Sequence, residues 1–202
     1  MLALLALPAC ETHPDVAVIR SKAEHGDARA QAVLGEMYAN GNGVPQDYAA
    51  AAKWWGRSGI DAALYNLGVM YEQGKGVPQN YAEAARLYRQ PAEQGFAAAQ
   101  YNLGVFYEHG NGVQQDYAQA ANWYSRAARQ GHPDAQYNLA ALYQMGKGVR
   151  HDDAESYFWL SLLARSGDRD AELLRDKVAV RLTKQQLSDL NRRAHDWKPG
   201  PA

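Results

Sequence analysis

Only a few sets of residues have types and spacings that could do chemistry. Asn66, Asn102 and Asn138 recur at intervals of 36 residues, each directly after a tyrosine, Tyr65, Tyr101 and Tyr137. An asparagine amide offers both a donor and an acceptor, and tyrosine offers rigid amphipathic area at low entropic cost. Glu72 and Glu108 stand one interval apart and could in principle form an acid–base pair, but a solvated or partner-facing role is expected for them. The six histidines, His13, His25, His109, His132, His151 and His195, form no HxxxH or HExxH pair, so no metal site is expected. The Gly-x-Gly turns lack the strand and the GxxxxGK[ST] spacing of a phosphate cradle, and Lys75 and Lys147 are loop residues. No serine lies in a GxSxG turn. The single cysteine, Cys10, excludes an internal disulfide framework and a cysteine-based zinc site. This inventory points to no enzyme and no cofactor.

The elements that position these residues are repeats. Four segments, beginning at Ala30, Ala63, Ala99 and Ala135, align without gaps over most of their length. Leu34, Leu67, Leu103 and Leu139 are spaced 33, 36 and 36 residues apart, and Tyr38, Tyr71, Tyr107 and Tyr143 keep the same register. Each unit reads as two helices. In the third, Ala99, Leu103, Phe106 and Tyr107 share one face of a first helix that stops at Gly110, in a GNGV turn whose glycines tolerate positive φ. A second helix starts at Asp116, with Gln119 placed for a capping box, and packs through Tyr117, Ala120, Ala121, Tyr124 and Ala128 before ending at Gly131. Asn80 with Glu83 and Asp152 with Glu155 repeat that box, whereas Asp47 has Ala50 in the partner position. Such hairpins cannot bury their apolar faces singly, so neighbours must stack, giving an all-α fold, a right-handed α/α superhelical solenoid. Gly35, Gly68 and Gly104 lie mid-helix, where glycine costs about 1 kcal/mol relative to alanine, and are expected to let two helix backbones approach.

The pattern A-x-A-Q-Y-x-L-G-x-x-Y-x-x-G-x-G-V-x-x-D-Y-x-x-A-x-x-W-Y-x-x-A-A-x-x-G resembles the Sel1-like repeat, a relative of the tetratricopeptide repeat, over about residues 27–168. The resemblance implies a solenoid that binds other proteins, with repeats at 27–60, 61–96, 97–132 and 133–168. In tetratricopeptide relatives an asparagine at the matching position grips the backbone of an extended peptide, and first helices line the concave face. The implied partner-binding set is Tyr65, Asn66, Val69 and Glu72; Tyr101, Asn102, Val105 and Glu108; and Tyr137, Asn138, Ala141 and Gln144. The alternative is that the tyrosines fill the groove between hairpins and the asparagines bond within the stack. Ala32 and Val33 replace Tyr-Asn in the first unit, so the site is expected in units two to four. Some cysteine-rich Sel1-type bacterial proteins are linked to β-lactams, which suggests a second reading, a cell-envelope binding protein or hydrolase acting on peptidoglycan-like or β-lactam molecules. Those relatives look stapled by one disulfide per repeat, which this sequence lacks.

Two irregularities and the flanks complete the reading. The first unit is three residues short between Trp54 and Gly59, and Pro91 falls inside a second helix. These predict either a change in superhelix curvature or a locally weak joint. Residues 14–26 read as an N-terminal capping helix through Val16, Ile19 and Ala23. Residues 169–197 read as a capping pair, apolar through Leu173, Leu174, Val178 and Leu182, with Thr183 and Gln186 boxing the last helix. Residues 198–202 read as a frayed tail. Residues 1–10, MLALLALPAC, resemble the end of a bacterial lipoprotein signal, with Leu7, Pro8 and Ala9 before a lipidated Cys10. This predicts a periplasmic or outer-membrane lipoprotein, and the alternative is a short apolar tail on a cytoplasmic protein. The balance of 21 basic and 22 acidic residues, net charge −1, excludes the usual nucleic-acid footprint. A protein or peptide partner, no nucleic acid, membrane contact only through Cys10, and a monomer are therefore expected.

Overall fold

In a computed structural model, the described residues are 15–200; the signal-like segment and Cys10 lie outside them. Among the described residues there are eleven helices and no strand: α1 Val16–Glu24, α2 Ala28–Asn40, α3 Tyr48–Ser58, α4 Asp61–Gln73, α5 Tyr81–Glu93, α6 Ala97–His109, α7 Tyr117–Arg129, α8 Pro133–Met145, α9 Asp153–Arg165, α10 Arg169–Ala179 and α11 Lys184–Asp196. The chain divides into two compact units, Met1–Gln94 and Gly95–Ala202. In the first, α1 packs on α2, and the hairpins α2–α3 and α4–α5 pack through α3 against α4. In the second, the hairpins α6–α7 and α8–α9 pack through α7 against α8, and both α10 and α11 rest on α9. The cores are built at helical spacing: Ile19 and Ala23 on α1, Leu34 on α2, Ala99, Leu103 and Phe106 on α6, and Ala120, Ala121, Tyr124 and Ala128 on α7 are all buried.

Local chemistry starts each second helix. Asp47, Asn80, Asp116 and Asp152 accept from backbone N–H groups of the first turn at 2.8 to 3.0 Å. The reciprocal arm of the expected boxes from Glu83, Gln119 and Glu155 does not form. Each cap's own N–H is already committed to a tyrosine carbonyl at the end of the preceding helix, Asn80 to Tyr71 at 2.8 Å, Asp116 to Tyr107 at 2.9 Å and Asp152 to Tyr143 at 3.1 Å. A complete box occurs at α11, between Thr183 and Gln186.

The glycines do two kinds of work. Gly76 and Gly148 have φ of +72° and +68°, and their bare Cα atoms abut the backbone at Tyr48 and Tyr117, so each turn rests on the second helix of the preceding hairpin. Lys75 and Lys147 then lie over the rings of those tyrosines, 3.9 and 5.0 Å from the centroids. The mid-helix glycines make room for a ring rather than for another backbone. A methyl at Gly35 would fall 2.5 Å from Trp55, one at Gly68 would fall 2.6 Å from Tyr88, and one at Gly104 would overlap Tyr124.

The short first unit is explained by two losses. Helix α3 has 11 residues where α7 has 13, and two residues, Gly59 and Ile60, link it onward where three, Gln130 to His132, follow α7. Helix α5 continues through the buried Pro91 to Glu93. At the far end, α10 buries Ala171 and Val178, but Leu173 is 62% exposed, so the expected apolar face is narrower than its sequence suggests. Ion pairs Asp153–Arg181 and Glu155–Arg193, at 2.6 and 2.5 Å, tie this end to α9. Residues 198–200 are not frayed: Gly200 donates its N–H to the Arg129 carbonyl at 3.1 Å, and Pro199 lies against Gly131.

Candidate protein-binding face

The aromatic residue that fills each mid-helix glycine also decides what its neighbours can do. Tyr124 lies on Gly104 and its hydroxyl donates to Glu108 Oε2 at 2.6 Å; Tyr88 lies on Gly68 and donates to Glu72 Oε2 at 2.5 Å. Glu72 and Glu108 are half-buried carboxylates, each with one oxygen engaged by a phenol. Burial foremost, and then the bond to Glu108, push the Tyr124 phenol far above its ordinary range, against a weaker opposing pull from the Asn138 side chain. Asn138, on α8, is half-buried.

The first and fourth hairpins replace the tyrosine and the glutamate together, and the fourth replaces the glycine as well. In the first, Trp55 stands for the tyrosine and Ala39 for the glutamate, and the indole N–H finds the Ala32 carbonyl instead, at 3.2 Å. In the fourth, Leu160 stands for the tyrosine, Gln144 for the glutamate and Ala140 for the glycine. Where the hydroxyl is absent, the carboxylate is absent too.

The expected partner-binding residues consequently separate. On α4, Tyr65, Asn66 and Val69 are buried, with Tyr65 tilted against Tyr88 at 5.5 Å, so these three side chains present no free surface. On α6, Tyr101, Asn102 and Val105 are half-buried, and Tyr101 stacks on His132 at 4.6 Å. On α8, Tyr137 is 40% exposed, with Asn138, Ala141 and Gln144 half-buried beside it. The sequence reading missed Met145, 51% exposed and eight residues after Tyr137. The signal for it was present, since Tyr137, Ala141 and Met145 follow the helical period that places them on one outward stripe. His132 was also missed. It caps α8 by accepting the Ala135 N–H at its ring nitrogen, 3.4 Å, and burial depresses its basicity against a weaker opposing pull from Asp134.

Among the described residues no group of three His, Cys, Asp or Glu side chains could hold a metal ion, and no helix is long and apolar enough to cross a membrane. The outward side of α8 offers an aromatic ring, a thioether and amide groups, which are means of contact.

Stacked helical hairpins with this internal register define an all-α repeat protein. The family model for the Sel1 repeat matches residues 28–59, 61–96, 97–132 and 133–168, and the chain belongs to that family. A Sel1 repeat protein from Oxalobacter formigenes is similar at 28% identity and a TM-score of 0.75, over 90% of this chain and 78% of that one. A protective antigen present in uropathogenic Escherichia coli strains, displaying an SLR fold, is 34% identical with a TM-score of 0.66 over 80% of this chain. The match covers 43% of the antigen, so this chain spans less than half its length. A search of curated proteins finds no match.

Proposed function

We propose that the protein is a non-catalytic scaffold that docks an extended segment of a partner protein on the face carried by α6 and α8. Sel1 repeats generally mediate protein–protein interaction, which supports the binding class. The observation that carries the location is the outward stripe of α8, where Tyr137 and Met145 are exposed either side of Ala141. Aromatic and methionine side chains are enriched where partners dock. Half-buried Asn102 on α6 and Gln144 on α8 carry amides that can bond to a peptide main chain. Buried Tyr65, Asn66 and Val69 play no part in this version of the site. The near-zero net charge supports a protein rather than a nucleic acid as the partner.

The test is a peptide selected from a random display library on the immobilised protein. Replacing Tyr137 and Met145 by serine is expected to weaken its binding at least tenfold with the helical circular dichroism unchanged. Binding unaffected by the pair would remove the face, and turnover of nitrocefin or muropeptides by rigorously purified protein would replace the scaffold reading with the hydrolase. Export through a lipidated Cys10 belongs to the same proposal. Mass spectrometry of the mature N-terminus is expected to find acylated Cys10, and an intact Met1 would exclude it.

A further inference from the structure

After α11 the chain turns extended, with Trp197 at φ −66° and ψ 138°, and runs back across α9 to the end of α7. The Trp197 ring meets Trp159 edge-on at 6.5 Å, Pro199 sits over Gly131, and the Gly200 N–H reaches the Arg129 carbonyl. Gly131 has a φ of +89°, so the position calls for glycine, and its missing side chain leaves a bare shelf onto which the proline ring fits. The equivalent shelves at Gly59, Gly95 and Gly167 have nothing within 4 Å of where a Cβ would stand, which makes the covered one distinct.

The strap covers this groove without filling it. A cleft of about 480 Å³ opens on one side, lined by Pro133, Leu162, Leu163 and the strap itself. A second, of about 300 Å³, opens on the other, between Arg129, Trp159 and Trp197. Two rings and one main-chain hydrogen bond are a light attachment for a segment that already has an extended, peptide-like backbone.

We propose that the groove between α7 and α9 is a second docking site, which takes an extended aromatic-x-proline-glycine segment of a partner protein, and that residues 197–200 are its displaceable internal competitor. The occupant is identified by the strap: a flat ring for Trp159, a proline for the Gly131 shelf two residues on, and a free N–H for the Arg129 carbonyl. Because partner and strap cannot sit there together, binding carries the cost of release, and a weakened strap raises the apparent affinity.

The probe is a synthetic hexapeptide of residues 195–200, blocked at both ends and titrated calorimetrically into the full chain and into the Trp197→Ala, Pro199→Ala variant. The variant is expected to bind it at least tenfold more tightly than the unaltered chain. A peptide with alanine at the tryptophan and proline positions should bind neither. In the unaltered chain, saturating hexapeptide should accelerate hydrogen exchange at the Gly200 amide. Equal affinity for both proteins, no binding to the variant, or unchanged exchange at Gly200 would overturn the proposal, as would a concentration-dependent dimer whose straps exchange between copies. Should the double variant lose helicity, Pro199→Ala alone, which keeps the Trp159 contact, is judged by the same readouts.

Discussion

At the scale of single residues, the Tyr124 hydroxyl ties the two helices of its hairpin together, donating from α7 to Glu108 on α6. Tyr124→Phe keeps the ring on Gly104 but leaves a half-buried carboxylate without its phenol donor, and is expected to cost about 1–3 kcal/mol by urea denaturation. His132 supplies a pH dependence of definite sign. Its folded pKa lies below the unfolded value of about 6.5 because burial favours the neutral ring, so the unfolded chain binds the extra proton. Its contribution is fully present above that unfolded value and is lost as pH falls through the depressed folded pKa. His132→Asn retains a cap acceptor without titrating, so its urea midpoint should fall less than that of the parent between pH 7.5 and 5. Neither role could be read from residue type alone.

At the scale of elements, the interlocking unit is the set of glycine, glutamate and tyrosine shared by two helices of one hairpin, and the chain itself contains the alternatives. Ala140, Gln144 and Leu160 form a compatible set in the fourth hairpin, where Gly104, Glu108 and Tyr124 occupy the third. Gly104→Ala alone should destabilise by about 1–3 kcal/mol, because its methyl overlaps the Tyr124 ring. Adding Tyr124→Leu removes the overlap, so thermal melts should give a favourable coupling of about 0.5–3 kcal/mol in a double-mutant cycle. The helices, their caps and their turns were legible in sequence because each depends on neighbours within a few residues, such as Asp116 capping α7 and Gly110 ending α6. The missing return arms of the capping boxes were not legible, because the competing acceptor, the carbonyl of Tyr107 for Asp116, lies nine residues away across a turn.

At the scale of the whole molecule, stability in a repeat array accumulates from neighbouring interfaces, since one hairpin leaves its outer faces open. A peptide of residues 97–132 should therefore show little helical circular dichroism, and strong cooperative melting of that peptide would contradict the nearest-neighbour picture. By itself the sequence determined the repeat number, the helical hairpins, the caps and the membership of the Sel1 family, all carried by periodicity and short-range chemistry. Only the tertiary structure decided which of the repeated polar residues remain exposed. It buried Tyr65 and Asn66, engaged Glu72 and Glu108 with phenols, left Tyr137 and Met145 outward, and seated residues 197–200 on Gly131. The physical reason is that exposure is set by what packs beside a helix, and that neighbour comes from a distant stretch of chain.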